Sequence, residues 1–202
     1  MFDRHMRPMI ERRLAHMATA LAHRHVSANW LTGAGVVAGL LAALSVAEGA
    51  FWAGLALGAL SRLLDGLDGM VARLNSPGPI GGYLDILADF TVFAALPIGF
   101  AVVAPATNAL PAVFLLASFF VNAASFLGFA ILAEQFGKRS RLNGEKSHFH
   151  ATGLIEGTET IVFFGLCMIW PAGFAVLAPT FAVLTLLTAI ARVRRAWQMF
   201  AD

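Results

Sequence analysis

Asp65-Gly66-Leu67-Asp68-Gly69-Met70-Val71-Ala72-Arg73, followed after seven residues by Gly81-Gly82-Tyr83-Leu84-Asp85-Ile86-Leu87-Ala88-Asp89, decides how this chain reads. Both pieces adjoin long apolar runs, so four carboxylates and an arginine stand at the edge of helices otherwise suited to lipid. Ionisable side chains in that setting are costly and mark function by default. Asp65 and Asp68 are three residues apart and Asp85 and Asp89 four apart, so each pair shares one helix face. The stretch Asn75-Ser76-Pro77-Gly78-Pro79 between them is a turn, which makes the two helices antiparallel neighbours and lets both pairs converge.

Four like charges at such a depth need compensation that Arg73 alone does not supply. Metal cations supply it. An all-oxygen donor set favours hard ions such as Mg²⁺ or Mn²⁺ over zinc or copper, and one carboxylate cluster can hold two of them. Gly69 and Gly81 carry no side chain, so a ligand or the facing helix can approach the backbone there.

The rest of the chain fits a membrane protein. Of its 202 residues 58% are hydrophobic and 13% charged, against roughly 25% charged in soluble domains. The apolar residues fall in six runs, near 28–47, 50–74, 83–104, 110–133, 153–170 and 173–191, each close to the roughly 20 residues a bilayer core requires. Turn formers separate them at Glu48 and Gly49, at 75–79, from Pro105 to Pro111 and at Pro171-Ala172-Gly173. The expected fold is all-α: a six-transmembrane-helix bundle over 26–195, an N-terminal amphipathic helix over 1–25 and a cytoplasmic tail over 196–202.

Charge sets the orientation. Arg4, Arg7, Arg12, Arg13 and Arg24 precede the first run, and Arg62 and Arg73 lie at the second hairpin. Lys138, Arg139, Arg141 and Lys146 fall between runs four and five, with Arg192, Arg194 and Arg195 after the sixth. The positive-inside rule places all of these, and both termini, in the cytoplasm. That topology accounts for the net charge of +2 without nucleic acid. Met6, Met9, Ile10, Leu14, Met17 and Leu21 recur at helical spacing, as expected of a helix lying along the inner membrane surface. Ser45-Val46-Ala47 imitates a signal-peptide cleavage site, but the charged region before it is too long and the apolar run is of spanning length. The single cysteine, Cys167, excludes an intrachain disulfide and reads as a small buried apolar residue.

Taken with its spacing, Asp65-x2-Asp68-Gly69-x2-Ala72-Arg73, seven residues, Gly81-x3-Asp85-x3-Asp89 resembles the signature of the CDP-alcohol phosphotransferase (CDP-alcohol phosphatidyltransferase) family, at eight defined positions. The six runs with the motif across the second and third also resemble the family fold, so the likeness covers nearly the whole chain. It implies transfer of a phosphatidyl group from a CDP-linked donor such as CDP-diacylglycerol to an alcohol, with release of CMP, at a bacterial inner membrane. Position by position it implies that Asp65, Asp68 and Asp85 ligate Mg²⁺ or Mn²⁺, two ions in all, and that Asp89 contributes to the metal site and acts as general base. Gly69, Ala72 and Arg73 would line the nucleotide pocket. Asn29-Trp30-Leu31-Thr32 is similar to the family's opening of the first helix, and equally reads as a helix cap at the membrane boundary. The partners implied are the CDP-linked lipid donor, the alcohol acceptor and membrane lipids, with a homodimer as an open arrangement.

The acceptor is not written in the motif. A phosphorylated alcohol calls for basic residues, which Arg139, Arg141 and Lys146, with Lys138, supply; the same residues serve as topology determinants beside an anionic leaflet. Many glycerophosphate-using relatives carry a lysine after the last aspartate, whereas Phe90 stands here. Glu156 and Glu159 share a face at the start of the fifth run, as acceptor-binding groups or as acids favoured by a helix N-terminus. His148 and His150 lack the further ligand spacing of a metal site. A transporter or proton pathway would also place acids in a membrane, but it does not explain the Ala72-Arg73 and Gly81 spacing. A di-iron oxidase would need Glu-x-x-His pairs, which are missing.

Overall fold

The structure, a computed structural model, describes residues 3–75, 79–136 and 155–200. Among them are seven α-helices: α1 (Asp3–His23), α2 (Ala28–Ala47), α3 (Phe51–Leu74), α4 (Pro79–Val103), α5 (Pro105–Gln135), α6 (Gly157–Ile169) and α7 (Phe174–Phe200). A 3-10 turn, Pro171–Gly173, leads into α7.

Among the described residues four stretches are long and apolar enough to cross a membrane: Ala28–Ala47, Ile80–Val103, Pro105–Gln135 and Pro171–Phe200. The sequence suggested six. The two that differ do so for separate reasons: α3 has the length but carries Arg62, Asp65, Asp68 and Arg73, and α6 has only 13 residues within the described segment. The loop expected from Pro105 to Pro111 is helical instead. Pro105 stands in the first turn of α5, where a missing N–H leaves no bond unmade. Only Ala104 separates α4 from α5, and the buried Asn108 amide closes that turn by donating to the Phe100 carbonyl at 3.0 Å. At the other end of the chain α7 continues to Phe200, into residues expected as tail, and the Phe200 ring meets Phe129 and Phe136 of the α5 end.

Helix α2 is the centre of the assembly, lying against both α3 and α4. Its contact face is made of small residues, Gly35, Ala38, Gly39, Ala42 and Ala43, all buried. In lipid, helices associate through close van der Waals contact, which small side chains permit. Gly99 of α4 shows how close the approach is, since a Cβ there would stand 2.5 Å from the Ala43 carbonyl oxygen. Gly99→Val should therefore destabilise the protein by about 1–3 kcal/mol, whereas Gly33→Val, whose Cβ would meet nothing within 4 Å, should not. Thermal unfolding of the detergent-solubilised variants, followed by tryptophan fluorescence, checks this; equal melting temperatures would contradict the tight α2–α4 contact.

Gly49 turns α2 into α3 with φ of 77°, a left-handed conformation natural to glycine. Further from the aspartates, stacked phenylalanines fill the core: Phe100 on Phe174 at 4.3 Å and Phe163 on Phe181 at 4.2 Å between ring centroids. Cys167 is buried in the same cluster, as its apolar setting suggested. At the opposite end α1 contributes Leu14, Ala18 and Leu21 to a cluster with Leu31, Leu67 and Val71. Leu14, Ala18 and Leu21 of α1 thus lie on α2 and α3, while Met17 is half exposed.

Candidate active site

Helix α3 carries Arg62, Asp65 and Asp68 at successive three-residue steps, and α4 carries Asp85 and Asp89 one turn apart. Where the two helices face each other, Asp65, Asp68 and Asp85 each offer a carboxylate oxygen, and these oxygens all lie within 4.8 Å of one another. Asp68 is buried, Asp65 intermediate and Asp85 exposed, so the cluster runs from a closed floor to an open mouth. Three acidic oxygens at that separation suit a hard divalent ion. The hydroxyl of Thr32 donates to Oδ2 of Asp68 at 2.5 Å, which fixes the innermost carboxylate. Within Asn29-Trp30-Leu31-Thr32, then, Thr32 reaches the cluster directly. Trp30 is 79% exposed.

The fourth aspartate has a different partner. Asp89 Oδ1 accepts from Arg62 Nη1 at 2.5 Å, and the same nitrogen lies 3.7 Å from Asp65 Oδ2. The sequence reading grouped Arg62 with the topology-determining charges and missed this contact. The signal was available: Arg62 sits in the middle of α3, one turn before Asp65, well away from any helix end. Gly69 and Ala72 follow Asp68 on the last turns of α3, with Arg73 exposed beyond them. A Cβ on Gly69 would stand 3.7 Å from the Arg73 guanidinium, and one on Gly81 3.9 Å from Asn29 Oδ1.

The expected acceptor residues separate into two groups. Arg139, Arg141 and Lys146 lie outside the described residues. Glu156 and Glu159 form a capping box, in which the Glu156 side chain accepts from the third-residue N–H and Glu159 Oε2 accepts from the Glu156 N–H at 3.1 Å. That arrangement gives both acids a structural reason at the start of α6. Nearby, Arg192 of α7 donates to the Asn122 side chain at 2.9 Å and to Ser125 Oγ at 2.6 Å, tying α7 to α5.

The sequence pattern of the CDP-alcohol phosphatidyltransferase family matches residues 25–191. The inner membrane protein YnjF of Escherichia coli (strain K12) is 40% identical over 193 residues, which span 96% of this chain and 94% of YnjF. The chain belongs to the CDP-alcohol phosphatidyltransferase family. Its fold is similar to that of the Mycobacterium tuberculosis phosphatidylinositol phosphate synthase PgsA1. The form with CDP-DAG bound superposes with a TM-score of 0.66 at 22% identity, over 92% of this chain and 94% of PgsA1. The apo form gives 0.71 at 20% identity, over 92% and 98%. The form in complex with manganese and citrate gives 0.64 at 22% identity, over 90% and 87%.

As a CDP-alcohol phosphatidyltransferase the protein is a multi-pass membrane enzyme of phospholipid synthesis. It moves a phosphatidyl-type group from a CDP-linked donor to an alcohol and releases CMP.

Proposed function

We propose that the Asp65, Asp68 and Asp85 carboxylates, with Asp89 beside them, bind two divalent ions, Mg²⁺ or Mn²⁺, and so hold the pyrophosphate of CDP-diacylglycerol for attack by an alcohol. The observation that carries this reading is the meeting of three motif carboxylates from two helices within 4.8 Å. The manganese found with PgsA1, a protein of the same fold, supports it. Bound there, the ions supply positive charge that draws electron density from the pyrophosphate and favours departure of CMP. Asp89 takes the proton of the acceptor hydroxyl as its oxygen bonds to the donor phosphorus and the bond to CMP breaks. Gly69, Ala72 and Arg73 line the cytidine nucleotide.

The same reading places α3 and α6 across the membrane beside the four long apolar helices, a six-span bundle with α1 at the cytoplasmic interface. Both termini face the cytoplasm at the inner membrane, the compartment in the name of YnjF. The grouped positive charges support this orientation. A homodimer remains the open assembly, to be read from the mass of the detergent-solubilised protein.

Acceptor identity is tested by a panel. Purified protein with CDP-diacylglycerol is offered glycerol phosphate, inositol phosphate and unphosphorylated alcohols, and the lipid products are read by mass spectrometry. A new phospholipid carrying one of these headgroups is the expected result. CMP release with water alone would make the protein a hydrolase.

A further inference from the structure

Helices α5 and α7 leave a groove of about 650 Å³ between them on the outside of the bundle. Its α7 wall is an apolar stripe at three- and four-residue steps, from Leu186 through Ile190 and Val193 to Trp197, and Val121 stands on the α5 wall. Ala189, small and buried, is the floor. Twelve residues separate Leu186 from Gln198 at the far end (198 − 186), which is about 18 Å at the helical rise. The hydrocarbon core of a bilayer is roughly 30 Å thick, so the groove is close to one leaflet deep. Its mouth lies at the end of the bundle that holds the aspartates, toward which α3, α5 and α7 all run.

Arg194, Trp197 and Gln198 stand together on the last turns of α7 and line that mouth. Among the described residues that line the groove, Arg194 alone is charged. Arg192, two residues earlier, is already engaged by Asn122 and Ser125 of α5, whereas Arg194 is exposed. Trp197 is 75% exposed, and tryptophan settles at the level of lipid headgroups. An apolar channel one leaflet deep, with a tryptophan and a cation at its rim, has the chemistry of a phospholipid site. We propose that the α5–α7 groove binds an anionic phospholipid of the leaflet on the aspartate side, one acyl chain in the groove and the headgroup phosphate on Arg194. The chain does not choose the lipid, because bulk lipid tails are as apolar as the groove itself. Charge at the rim makes the choice. No residue of α3 or α4 lines the groove, so this lipid is separate from the donor at the aspartates, and the inference does not depend on their roles.

The test is native mass spectrometry of the full chain, stripped of lipid in detergent and titrated with phosphatidylglycerol or with phosphatidylcholine of the same chain length. Wild type should retain one phosphatidylglycerol about fivefold more tightly than phosphatidylcholine, the preference expected of one basic residue at headgroup level. Arg194→Gln, a change at an exposed position, should bring the two lipids within about twofold of each other. Val193→Trp keeps the charge and fills the groove, and should retain neither lipid. Val193 is exposed, so the added ring is not forced into the core, and Arg194→Gln alone still decides the matter if that variant does not fold. Equal retention of both lipids by wild type, an unchanged preference in Arg194→Gln, or full retention by folded Val193→Trp overturns the inference. With CDP-diacylglycerol also present, a complex carrying both lipids is expected. Exclusion of phosphatidylglycerol by one equivalent of the donor would make the groove the donor's own and overturn the inference. So would a dimer that retains no lipid and that Val193→Trp dissociates, because a second copy of the chain would then cover the groove.

Discussion

Asp89→Asn should lower turnover by roughly 10² to 10⁴, the range typical of a lost general base, while CDP-diacylglycerol still binds. Asp68→Asn should weaken both metal and donor binding. The contrast follows from when each group is needed. A base acts only as the acceptor hydroxyl reacts, whereas ligands are needed earlier, when the donor pyrophosphate is held. Position agrees with this division: Asp68 is the buried floor of the three-carboxylate cluster, braced by Thr32, and Asp89 is engaged by Arg62. Calorimetric titration of a CDP-linked donor into each variant, with Mn²⁺ present, checks it. An equal loss of donor affinity in both would mean that Asp89 is chiefly a metal ligand and that the base lies elsewhere.

Removal of divalent ions should have a still larger effect. Three carboxylates within 4.8 Å repel one another, and the single guanidinium of Arg62 is shared between Asp89 and, at 3.7 Å, Asp65. Protein stripped with a chelator should therefore lose CMP release, because nothing else in the cluster offsets the charge of the donor pyrophosphate. Added Mg²⁺ or Mn²⁺ should restore it. Turnover undiminished in chelator would sink the metal-ion mechanism.

How much of this was legible in the sequence varies with the kind of interaction. The meeting of Asp65, Asp68 and Asp85 was, because helical spacing fixes which carboxylates share a face and a short connection lets the faces meet; the pairing of Asp89 with Arg62 was not. The Glu156 and Glu159 pair was half legible: their spacing announced one face, but only hydrogen bonds could distinguish a capping box from a ligand site. Arg62 was misassigned because a net count of positive charge ignores depth along the helix. The turn between α4 and α5 was misplaced because proline at the start of a helix looks, in sequence, like proline in a loop. Periodicity in α1 showed that one face is apolar; it could not show that Leu14, Ala18 and Leu21 would meet Leu67 and Val71 of the protein itself.

The central claim is transfer of a phosphatidyl group between a CDP-linked donor and an alcohol, and stoichiometry tests it most directly. Purified, metal-loaded protein is given CDP-diacylglycerol with and without the acceptor alcohol that the panel selects, and CMP and lipid product are counted in the same reaction. The account predicts one phospholipid formed for each CMP released, with release depending on the alcohol. CMP appearing at the same rate without any alcohol, or donor left unconsumed with every alcohol, would contradict it.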